Sequence, residues 1–127
     1  MEYPALVTII ALLEYMAFTL QVGLGRDKYG VPAPAITGNA TWERLYRVQQ
    51  NTLEQLGVFL PALWIFAIYW SPGIAAAIGV LFLIGRPLYA VTYARDPKSR
   101  TAGFLLGFAS NVLLVLGSLA GVIGSLL

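Results

Sequence analysis

Between Trp42 and Glu54 the chain reads Trp-Glu-Arg-Leu-Tyr-Arg-Val-Gln-Gln-Asn-Thr-Leu-Glu, a concentration of charge and amide groups in a sequence otherwise made mostly of hydrocarbon. If the segment is helical, Arg44, Arg47, Asn51 and Glu54 fall on one stripe, because helical neighbours recur every three to four residues. Arg86, Tyr89 and Tyr93 share the same spacing further on, and Arg100-Thr101 form a third polar point. Arginine forks suit carboxylates, a glutamate such as Glu54 suits an ammonium group, and Asn51 with Gln49 can hold peptide amides. The set therefore fits a small zwitterionic peptide.

Composition narrows the chemistry. The chain has no cysteine and no histidine, which removes disulfides, thiolate metal sites, a protein thiol nucleophile and the best metal ligands together. No metal site is expected, and thiol chemistry has to come from a substrate. Glutathione, with its carboxylates, ammonium, amides and thiol, matches the polar inventory. A thiol attacks as thiolate, and each pKa unit of depression needs about 1.4 kcal/mol of preferential stabilisation. An arginine together with backbone donors at a helix N-terminus supplies that kind of stabilisation, and Arg100 and Thr101 open the last helical segment. No nucleic-acid motif, phosphate loop, internal repeat or low-complexity tract is present.

The elements that must position these groups are membrane helices. At 127 residues and 58% hydrophobic content, the chain reads as a single all-α domain and an integral membrane protein. Four apolar spans are expected at about 5–25, 42–70, 74–95 and 101–126, each close to the ~20 residues that cross a bilayer. The first is not a signal peptide: it lacks a basic leader, contains Glu14 and offers no convincing cleavage site. It should end at Gly23-Leu24-Gly25, and Thr41 should cap the second helix, with Arg44 leaving the capping box incomplete. Pro87 should bend the third helix. Gly103 and Gly107, then Gly117 and Gly121, have the spacing of close helix packing, and Asn111 suits an interhelical hydrogen bond.

All eight Lys and Arg residues cluster at or near the first and third connections. By the positive-inside rule those connections face the cytoplasm and both termini face away, with Arg95 and Lys98 as interfacial or lipid-phosphate anchors. The polar turns of the second helix need protein rather than lipid around them, which calls for a homo-oligomer.

The Trp42–Glu54 segment, with Arg86, Tyr89, Tyr93 and Arg100 behind it, resembles the membrane-associated proteins in eicosanoid and glutathione metabolism (MAPEG) over essentially the whole chain. That family includes microsomal glutathione transferases, leukotriene synthases and prostaglandin E synthase. The resemblance implies a homotrimer of four-transmembrane-helix bundles with glutathione bent between neighbouring subunits near the cytoplasmic face. Arg47, Asn51 and Glu54 match the family's glutathione-binding positions, as do Gln49, Tyr89 and Tyr93, with Arg26 contributing from the first helix. Arg100 matches the arginine assigned to thiolate activation, and Thr101 follows it where the prostaglandin enzyme has serine. The activity implied is a glutathione transferase or peroxidase acting on lipophilic electrophiles or hydroperoxides that enter from the bilayer. Gln55, where several members have tyrosine, and Asp27, where the leukotriene enzyme has a second arginine, weigh against the eicosanoid-specific activities. The short termini suggest a minimal, bacterial member.

Two other classes compete. A lone membrane carboxylate, Glu14, in a four-helix chain suits a proton-coupled multidrug transporter, although such a protein has no use for arginines and amides on its second helix. A membrane protein that binds glutathione or lipid without turnover uses an overlapping set of residues.

Overall fold

The computed structural model describes residues 1–127 and contains helices and turns only. Four long helices, α1 (Glu2–Tyr29), α2 (Ala40–Tyr69), α3 (Pro72–Arg95) and α4 (Thr101–Leu126), are joined by a loop, a tight turn at Ser71 and a 3-10 turn over Pro97–Ser99. Each helix is long and apolar enough to cross a bilayer. Large apolar side chains such as Leu13, Met16, Ile68, Val91 and Leu116 stand exposed around the bundle, the surface expected of a protein solvated by lipid.

Successive helices alternate in direction. A hydrogen bond from Arg44 to the Ala94 carbonyl, 3.2 Å, ties α2 to α3 at the end that carries the 30–39 loop and the 3-10 turn. At the opposite end the Trp70 indole donates to the Gly117 carbonyl at 2.7 Å, close to the turn at Ser71 and the C-terminus. Every Lys and Arg except the buried Arg86 lies near the loop end.

Two helix ends differ from the sequence expectation. α1 continues past Gly23-Leu24-Gly25 and stops at Gly30, whose left-handed backbone (φ 69°) returns its N–H to the Arg26 carbonyl. Gly25 serves packing instead: a Cβ there would stand 3.1 Å from the Trp42 ring, and the Trp42 indole donates to the Val22 carbonyl at 3.0 Å. α2 is capped by Asn39, not Thr41. The Asn39 side chain accepts from the Trp42 amide at 2.9 Å while Glu43 reaches back to accept from the Gly38 amide at 3.1 Å, a reciprocal pair that Thr41 is placed too late to make. α3 runs uninterrupted through Pro87 to Arg95.

The glycines of α4 set the α3–α4 distance. A Cβ on Gly103 would collide with the Tyr89 backbone, and one on Gly85 would lie 2.9 Å from the backbones of both Gly103 and Gly107. This contact brings the start of α4 against Tyr89.

Candidate functional site

The interior of the bundle is layered. Toward the termini lies an apolar core in which Phe59 and Phe82 stack at 4.0 Å among Ala11, Leu56, Leu63 and Leu114. Toward the loops, Phe18, Val48 and Tyr89 form a second apolar cluster with Phe104 against it. Between the two, α2 and α3 each contribute polar side chains. Arg86 is fully buried and donates through Nη2 to Asn51 Oδ1 and to Thr52 Oγ1, both at 2.9 Å. The Thr52 hydroxyl in turn donates to the Val48 carbonyl at 2.7 Å. The Arg86 guanidinium lies 4.6 Å from the Tyr89 ring centroid, and Tyr89 stacks on Tyr93 at 5.5 Å.

From this layer toward the loop end opens a cavity of about 380 Å³ lined by Arg47, Asn51, Tyr89, Arg100, Thr101 and Phe104. Three helices supply its donors. Arg86 occupies the Asn51 carbonyl oxygen, so the Asn51 amide nitrogen is left to donate toward the cavity. No carboxylate lies within 4.0 Å of Arg47 or Arg100. α4 begins beside them with no side chain capping its first turn, so its leading amides are free to donate. Two unpaired guanidinium groups, an amide NH₂, hydroxyls and a helix N-terminus form a pocket complementary to carboxylate and thiolate.

Farther along the α2–α4 groove, one turn on from Asn51 and Phe104, a largely apolar cavity of about 300 Å³ is lined by Gln55, Val58, Phe108, Asn111 and Val112 among others. Asn111 donates to Gln55 Oε1 at 2.9 Å, an interhelical bond that pins the two helices there. A donor-rich cavity and an apolar one thus follow one another on one face.

Comparison with known proteins identifies the family of the chain. The model of the MAPEG family matches residues 4–120. The chain belongs to that family. Among its relatives, an uncharacterized protein of Synechocystis is 49% identical over 98% of this chain and 90% of its own length. Human microsomal glutathione S-transferase 2 is 37% identical over 97% of this chain and 84% of its own, and bovine leukotriene C4 synthase is 34% identical over 97% and 82%. The membership, together with four apolar helices, makes this an integral, multi-pass membrane protein.

In this MAPEG chain the residues singled out by sequence fall into two groups. Arg47, Asn51, Tyr89, Arg100 and Thr101 converge on one cavity, with Arg86 and Tyr93 directly behind. The others are engaged or directed elsewhere. Arg26 donates to the Val31 and Ala35 carbonyls at 3.3 and 2.8 Å and lies 4.6 Å over the Trp42 ring, clamping the loop. Arg44 holds the end of α3, and Gln49 donates to Thr19 on α1 at 3.1 Å. Glu54 is exposed on the outer surface of α2 and makes no hydrogen bond within the chain. Two residues of the cavity and its supporting layer were not indicated by the polar pattern. Phe104 lies one turn after Thr101, a spacing that could have suggested it, and Thr52 grips Arg86 across a helix pair, for which a single sequence carries no signal.

Proposed function

We propose that this protein is a membrane-bound glutathione-dependent transferase. The observation that carries the reading is the cavity in which Arg47, Asn51, Arg100 and Thr101 present donors without any carboxylate to neutralise them. Its support from relatives is the likeness to microsomal glutathione S-transferase 2 and leukotriene C4 synthase.

In this reading Arg47 and the Asn51 amide hold the peptide and its carboxylates, and Tyr89 and Tyr93 wall the site. Arg100, with the first amides of α4 and the Thr101 hydroxyl, stabilises the glutathione thiolate after its proton leaves to solvent. The sulfur then attacks a lipophilic electrophile bound along the apolar part of the α2–α4 groove. With an aryl halide, a carbon–sulfur bond forms, the carbon–halogen bond breaks, and halide departs with the electron pair.

Glu54 faces out of the bundle, as do Arg47 and the exposed side of α2. A homotrimer turns such groups inward between subunits, so that Glu54 meets the glutathione ammonium across the interface, while Arg26, Arg44 and Gln49 act from behind it by holding the loop and the neighbouring helices. The basic loop end faces the cytoplasm and the termini the opposite side.

The test is calorimetric titration of the detergent-purified protein with glutathione, followed by conjugation of a model aryl halide. Saturable binding and turnover are expected, and both should disappear when detergent dissociates the oligomer. Absence of binding by the intact oligomer would end this reading.

A further inference from the structure

One charged group in the membrane interior has no part in the cavity. Glu14 sits near the middle of α1, and its Oε1 is fully desolvated with no hydrogen-bond partner. Arg86, on α3, carries the complementary defect: its Nε is equally buried and donates to nothing. A buried guanidinium that lacks a counter-charge is costly, more so among lipid-solvated helices. No carboxylate comes within 4.0 Å of it.

The helix register puts these two groups at the same level of the bundle. On α1, Glu14 lies between Ala11 and Phe18 on one face; on α3, Arg86 lies between Phe82 and Tyr89. Ala11 and Phe82 belong to the same apolar cluster, and Phe18 and Tyr89 to the next. Glu14 and Arg86 are therefore the intervening layer, which Asn51 and Thr52 complete from α2. From α4 the layer is bordered by Gly107, where a Cβ would make only ordinary contact with Arg86 Cδ, at 3.9 Å. An orphan acceptor and an orphan donor in one polar layer, sealed by apolar layers on both sides, can be joined by a rotamer change or one bridging water.

We propose that Glu14 is a positioning residue: as the buried counter-charge of Arg86 it keeps the guanidinium seated on Asn51 and Thr52, and so fixes the donor that Asn51 turns toward the cavity. The chain of action runs from α1 through α3 to α2 without Glu14 touching the ligand. Its last link rests on the glutathione reading above; the pairing with Arg86 does not. It also assigns the membrane carboxylate a role other than carrying protons for transport.

The experiment has two arms on the detergent-purified oligomer. In the first, glutathione affinity is measured for wild type, Glu14→Gln, Glu14→Asp, Asn51→Ala and the double variant Glu14→Gln/Asn51→Ala. Glu14→Gln is expected to weaken glutathione binding by about tenfold, the scale of one charge-assisted hydrogen bond, while kcat at saturating glutathione stays unchanged. Glu14→Asp, which keeps the charge, restores most of the affinity. In the Asn51→Ala background Glu14→Gln adds nothing, because Glu14 acts through Asn51; an equal penalty in both backgrounds would overturn the positioning role. In the second arm, thermal unfolding is compared for Glu14→Gln, Arg86→Gln and their combination, without ligand. Each single change should lower Tm, and the double variant should lose no more than the worse single one. Strict additivity overturns the pairing. If wild type itself binds no glutathione, the transferase reading fails while the thermal cycle still decides the Glu14–Arg86 pair.

Discussion

The two halves of this bundle use the same four helices for different ends. In the half near the termini, Phe59, Leu63, Phe82 and Leu114 fill the centre completely and each is fully buried. In the half near the loops the centre holds Arg86 and its partners, and a donor-lined cavity opens beside it. In lipid, burying hydrocarbon brings little gain over leaving it exposed, so the apolar half is held by close packing and the small residues that permit it. The polar half has no such neutrality. Each desolvated donor there needs an acceptor, and Arg86 meets that need only through Nη2, on Asn51 and Thr52, while the exposed Arg47 and Arg100 pair with no carboxylate within the chain. The first half stabilises the fold, and the second is left incomplete in a way that a ligand can complete.

Substitutions in the two halves should therefore separate stability from binding. The largest effect is expected from Phe59→Ala, which opens a cavity in the stacked Phe59–Phe82 pair and should cost about 3–5 kcal/mol. Thermal unfolding in detergent would report a large fall in Tm, and the fraction still folded should bind glutathione as wild type does; a weakened affinity there would blur the division. Next comes Arg100→Ala, for which conjugation of an aryl halide should slow by about 100-fold, the usual loss when one preorganised donor to a developing anion is removed. Melting of the same variant should shift little, since Arg100 is exposed and pairs with no carboxylate. A smaller loss, about tenfold in glutathione affinity, is expected for Asn51→Ala by titration calorimetry. An affinity equal to wild type would remove Asn51 from the site. At the low end, Leu119→Ala on the exposed surface of α4 should change stability by less than about 0.5 kcal/mol and leave turnover untouched. A marked loss of activity there would show that the lipid-facing surface of α4 belongs to the working site.

The sequence carried the all-α, four-helix membrane class openly, because long apolar runs need only hydropathy and length to be seen. Helix ends were less legible. Gly23 and Gly25 resemble a stop signal, yet Gly25 exists to accommodate Trp42 from the next helix, a contact that no local rule contains. The cap at Asn39 rather than Thr41 depends on which residue has the extended backbone, and both types are good caps.

The site was legible as a stripe but not as its two edges. Residues seven apart share an edge of a helix more closely than residues three apart. Arg44 and Asn51 accordingly turn inward and are half-buried, while Arg47 and Glu54 remain exposed. Asn51 and Arg47 still meet at the cavity because it opens at the margin between those edges. The polar layer of Glu14, Thr52 and Arg86 was hidden altogether as a unit, since its members come from three helices and only the packing of Phe18 with Tyr89 and Ala11 with Phe82 brings them level.

The central claim is that the loop-end cavity stabilises a thiolate, and the ultraviolet difference spectrum of glutathione on titrating the purified protein tests it most directly. Wild type should develop thiolate absorbance that saturates with glutathione, and Arg100→Ala should bind glutathione yet develop little of it. Saturable binding with no thiolate signal in wild type, or an equal signal in Arg100→Ala, would contradict the account.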